Sequence, residues 1–82
     1  MLTDYVQSAM NRAVYEKLED GTYSGEIPVC SGTVAFGDTL SECQKNLQSA
    51  LEDWILSGLR HGDELPVIDG IDLNKKSVEI SD

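Results

Sequence analysis

A capping box followed by an unbroken apolar stripe constrains this chain most. Thr39 and Glu42 stand three residues apart, the spacing at which each side chain satisfies a free backbone N–H of the other at a helix start. Behind them Leu40, Cys43, Leu47, Ala50, Leu51, Trp54, Ile55 and Leu59 recur at helical spacing and line one face. Glu42, Lys45, Gln48, Glu52 and Asp53 fall mainly off that face. Arg60 and His61 suit the negative end of the helix dipole, and Gly62 suits the C-cap. The spacing therefore predicts one long helix, with Trp54 in the core or at a subunit interface rather than at a ligand site.

The residues ahead of it supply what the helix can pack on. Leu2, Tyr5, Val6, Ala9 and Met10 form a second, shorter helical stripe that has to cover a sheet or a neighbouring subunit. Ala13–Glu19 and Thr22–Ile27 read as strands around Asp20-Gly21, a dipeptide suited to a two-residue type I′ hairpin turn. Pairing across that turn sets Leu18 opposite Tyr23, Val14 opposite Ile27 and Glu16 opposite Gly25 on one face. Pro28 ends the second strand or marks an edge, Val29–Gly32 is a loop, and Thr33–Phe36 makes a short third strand stopped by Gly37-Asp38. Leu65–Ile68 is a candidate edge strand with Pro66 on its solvent side. Asp69-Gly70 is a turn, with Ile71 and Leu73 docking beyond it. The polar segment 74–82 is expected to fray. The whole reads as one α+β domain over residues 1–82, with its core over about 13–68.

Charge and chemistry narrow the function classes. Fifteen acidic against six basic residues give a formal charge of −9. Such a surface repels phosphate backbones, which argues against direct nucleic-acid binding. It attracts a basic partner and speeds encounter with it. No basic leader or long apolar run is present, so the expectation is a cytoplasmic protein without membrane attachment. Cys30 and Cys43 are the only cysteines and His61 the only histidine, which leaves no set with zinc-ligand spacing. Asp20, Glu26 and Asp38 are the acids a divalent-metal nuclease site would draw on, yet the first and last are already accounted for by turns. His61 has no identified Ser or Cys neighbour to activate. The expectation is a protein without catalysis or cofactor. A chain of this length buries only roughly 60–65% of its unfolded surface, so self-association into a dimer or tetramer, aided by free sheet edges, is expected as well.

In order along the chain, Asp20-Gly21-x-Tyr23, Ile27-Pro28, Gly32, Gly37-Asp38-Thr39-x-x-Glu42 and Asn46-Leu47-x-x-Ala50-Leu51 resemble the HicB-like antitoxin domain over residues 13–59. Two features depart from that pattern. The family's Pro-Asp-x-Pro-Gly loop is here Pro28-Val29-Cys30-Ser31-Gly32, and its helical Glu-Ala is here Glu42-Cys43. The resemblance implies an N-terminal helix on a three- or four-stranded antiparallel sheet backed by one long helix, like a partial ribonuclease-H fold. It also implies a partner: a small basic toxin of the HicA kind, which cleaves mRNA and whose RNA-binding surface the antitoxin covers. The C-terminal DNA-binding segment carried by many relatives has no counterpart in residues 60–82. The alternative is a stand-alone oligomeric binding domain. Acids off the apolar stripes, namely Glu52, Asp53, Asp63, Glu64, Asp69 and Asp72, are the nominated partner contacts. Asp20, Gly21, Pro28, Gly32, Gly37, Thr39 and Glu42 are fold residues.

Overall fold

The fold was taken from a computed structural model, which describes residues 2–73; the segment 74–82, expected to fray, lies outside the described residues. Element order is α1 (Leu2–Met10), β1 (Val14–Lys17), β2 (Tyr23–Glu26), β3 (Val34–Gly37) and α2 (Leu40–His61). The strands form one antiparallel sheet in the order β1-β2-β3.

Helix α2 begins and ends where its capping residues dictate. Thr39, in an extended conformation, accepts from the Glu42 N–H through its Oγ1 (3.0 Å), while the Glu42 carboxylate accepts from the Asp38 N–H (2.8 Å). At the far end Gly62 adopts φ +75° and the Asp63 N–H donates to the Gly58 carbonyl, a left-handed C-terminal closure. Cys43, Leu47, Leu51 and Ile55 are fully buried against the sheet and α1. Leu40, at the outset of the same stripe, is exposed. Trp54 is half-buried and packs against the core.

Helix α1 rests mainly on α2, whereas the resemblance placed it on the sheet. Tyr5, Val6 and Ala9 are buried there, Met10 is half-buried, and Leu2 is 48% exposed. Residues 63–73 cross back over this helix as a strap. Leu65 and Ile68 enter the core, the Tyr5 hydroxyl donates to the Pro66 carbonyl (2.7 Å), and Arg12 pairs with Asp69 (2.7 Å). Leu65–Ile68 is not a fourth strand. Its buried residues are three apart rather than two, and among the described residues its only ladder contact is the bridge Ile68–Ile71. That bridge is closed by Asp69 (φ +52°) and Gly70 (φ +79°), the two positive-φ positions of a type I′ turn.

The first hairpin departs from expectation by one residue. Val14 pairs with Glu26, Tyr15 with Gly25, Glu16 with Ser24 and Lys17 with Tyr23. The Leu18 N–H donates to Thr22 and the Gly21 N–H to Leu18. The loop is therefore three residues long, a turn followed by Gly21 at φ +90°, and not the two-residue type I′ turn. Asp20 keeps a negative φ and accepts instead from the Thr22 N–H (3.0 Å) and hydroxyl (2.6 Å); these bonds pull its carboxyl below the usual value. A one-residue slip exchanges the two faces of a strand. Val14 consequently points outward, and the half-buried Tyr15 lies on the side that α2 covers.

Candidate functional site

The corrected register produces a surface that the sequence reading missed. On the side away from α2 the cross-strand neighbours form two rows, Val14–Glu26–Val34 and Glu16–Ser24–Phe36. Adjacent strands lie roughly 4.8 Å apart, so the six side chains make one continuous patch. Val14 is 54%, Val34 45% and Phe36 59% exposed. Glu16 and Glu26 are exposed between and beside them. The patch thus pairs apolar anchors with negative charge.

The covered side explains why Val34 and Phe36 are outside. Gly25 and Ala35 face Cys43 on α2, and the Cys43 thiol reaches the Ala35 carbonyl at 3.8 Å. A Cβ added to Gly25 would stand 2.9 Å from the Tyr15 ring and 3.2 Å from the Cys43 sulfur. One added to Gly37 would meet the Cys43 backbone N and lie 2.8 Å from its Cα. Small residues let the helix come close to the strands, and the interior has no room for Val34 or Phe36. The signal legible in sequence was this alternation of Gly25, Ala35 and Gly37 with Glu26, Val34 and Phe36.

The nominated acids are not brought together. Glu52 and Asp53 are exposed on α2, away from the open sheet face, and Glu52 lines a groove of about 320 Å³ between α1 and α2 with Leu2, Val6, Gln48 and Leu56. Asp63 and Glu64 are exposed just beyond the C-cap of α2. Asp69 is engaged by Arg12, and Asp72 is exposed but also takes part in an interaction. Of the fold residues, Asp20, Gly21, Gly37, Thr39 and Glu42 act as described above. Pro28 and Gly32 (φ +95°) bracket two consecutive turns that swing Cys30 into the core.

The buried titratable groups are set for structure. Burial pushes the Tyr5 hydroxyl up to about 12, and the adjacent Cys30 thiol adds to the effect. Burial also raises Cys30 and Cys43, which keeps both as thiols near neutrality, and the thiol form is the poor nucleophile. Among the described residues no group of three or more His, Cys, Asp or Glu side chains is placed to hold a metal ion, and no helix is long and apolar enough to cross a membrane.

Comparison with protein families matches residues 4–66 to the UPF0150-like model, most of the chain and all five of its elements except the first two residues of α1. The chain belongs to the UPF0150-like family. Among solved structures this UPF0150-like protein is similar to TTHA0281 from Thermus thermophilus, at 44% sequence identity and a TM-score of 0.82. The likeness covers 89% of this chain and 91% of that one. Comparison with curated proteins returns no match.

Proposed function

We propose that this UPF0150-like protein is a non-catalytic binding domain of the HicB antitoxin type, which holds a small basic partner of the HicA kind on the open face of its sheet. One observation carries the reading: Val14, Val34 and Phe36 stand exposed among Glu16 and Glu26 on one face of the sheet. Apolar anchors supply the desolvated centre that binding energy concentrates in. The flanking carboxylates, on a chain of charge −9, select a basic partner and accelerate encounter with it. A surface that neutralises the cations of an RNA-binding groove also denies that groove to RNA. The motif order from Asp20 to Leu51 supports the same reading.

The test is co-expression with a small basic protein of the HicA kind, sought among the genes beside this one, followed by capture across a salt series. Salt-sensitive capture that suppresses RNA cleavage by the partner is the expected result. Absence of capture at low salt, or capture that Val14→Glu and Phe36→Glu leave unweakened, overturns the assignment of the partner to this face. The second reading, a stand-alone oligomeric domain, draws on the uncharged outer edge of β3.

A further inference from the structure

The two edges of the sheet are built differently. β1 carries Glu16 and Lys17 in its four residues, and charges on an edge strand oppose pairing with another chain. β3 is Val34-Ala35-Phe36-Gly37, with no charge, proline or bulge. Its backbone phase is fixed by the Ile27 N–H, which donates to the Thr33 carbonyl at 3.2 Å. Thr33, Ala35 and Gly37 therefore direct their polar groups toward β2, and Val34 and Phe36 direct theirs outward. The Phe36 carbonyl accepts from Asn46 Nδ2 (2.7 Å), and the next outward group, the Asp38 N–H, is taken by Glu42. Among the described residues this leaves the Val34 N–H, the Val34 carbonyl and the Phe36 N–H without a partner within the chain.

That pattern is complementary to itself. We infer that β3 pairs antiparallel with β3 of a second copy about a two-fold axis at Ala35, which joins the two sheets into one of six strands. With Ala35 opposite its own copy, Val34 of each chain faces Phe36 of the other. Both are outward-directed residues, so each facing pair exchanges two backbone hydrogen bonds, four in all. The Phe36 carbonyl can keep its Asn46 bond, because a carbonyl oxygen has two lone pairs. The same pairing sets each Val34 side chain against a Phe36 ring on the open face, a favourable cross-strand combination. Two separate apolar patches then become one strip at the centre of the joined sheet. Facing residues exchange roles across the axis, as a closed two-fold interface demands. This pairing depends on the strand edge alone and not on any toxin.

Light scattering on the purified chain and on Val34→Pro tests it. Proline at position 34 removes an outward donor and no bond of the β2–β3 ladder. The natural chain should have the mass of two chains or a multiple of two, and folded V34P the mass of one. A natural chain that is monomeric at every soluble concentration, or a folded V34P of unchanged mass, overturns the inference. The double variant V34C/F36C checks the register and covers the case in which V34P does not fold. Positions 34 and 36 of one strand are too far apart to bridge each other, whereas 34 and 36 of facing strands are within reach. Oxidation should give a covalent pair on a non-reducing gel; a folded, associated double variant that stays uncrosslinked overturns the pairing.

Discussion

The two faces of the sheet divide its twelve strand residues, six to each, and are built in opposite ways. Toward α2 the strands offer Gly25, Ala35 and Gly37, and the helix answers with Cys43. Away from it they offer Val14, Val34 and Phe36 with two glutamates. A sheet covered on one face ordinarily turns its large apolar residues inward. Here closeness of approach sets Gly25, Ala35 and Gly37 beside Tyr15 on the inner face, and Val14, Val34 and Phe36 are left outside, where no described residue covers them. The inner face holds the domain together; the outer one is available for binding.

The sharpest way to break that contrast is to add one methyl group where the helix sits closest. On the inner face, Gly37→Ala drives a Cβ into the backbone at Cys43, which cannot swing aside as a side-chain tip does. The expected cost is about 3 kcal/mol, read as a fall in the denaturation midpoint. A loss below about 0.5 kcal/mol would mean that α2 sits less tightly on β3 than described. Next in size is the effect of alkali on Tyr5. Its folded value of about 12 lies above the ordinary value of 10.0, so the folded state holds the proton more tightly than the unfolded chain. The resulting stability is fully present below pH 10 and is lost as pH rises from 10 to 12, on the order of 3 kcal/mol in all. Tyr5→Phe should remove most of that pH dependence, and an unchanged alkaline profile in the variant would assign it to another group. Smallest is Val14→Thr on the open face. The side chain keeps its shape and is already more than half exposed, so stability should change by less than about 0.5 kcal/mol. A loss of about 2 kcal/mol would show that Val14 is buried in the free protein.

How far the sequence revealed this arrangement varies from element to element. Both ends of α2 were readable because Thr39, Glu42 and Gly62 act through local bonds that need no tertiary context. The stripe of α1 was equally plain in Tyr5, Val6 and Ala9, though not that it would lie mainly on α2. The hairpin register differs because a two-residue type I′ turn at Asp20-Gly21 would set Val14 on the covered face, whereas the three-residue loop shifts the pairing by one and sets Tyr15 there. The two Asp-Gly dipeptides show the limit of turn chemistry. Asp69-Gly70 takes the tight two-residue geometry between bridged Ile68 and Ile71, while Asp20-Gly21 sits in a three-residue loop in which Asp20 bonds forward to Thr22. The dipeptide permits both geometries, and the register of the flanking strands selects between them. The candidate surface was hidden for the same reason: the open face exists only once that register is known.

The strap over α1 has a consequence for the order in which the molecule can be assembled. The bond from Tyr5 to Pro66 spans 61 residues, and Arg12 reaches Asp69 across 57. During synthesis the sheet hairpins and α2 have their partners as soon as they emerge, because each packs on sequence just made. The first helix has to wait for the strap beyond α2 before its tyrosine finds an acceptor. Loop closure of that length is entropically costly and slow relative to local contacts. A ribosome paused inside α2 would therefore display a nearly finished sheet beside a loose, apolar leading segment, and the strap would act as the latch that secures the beginning of the chain.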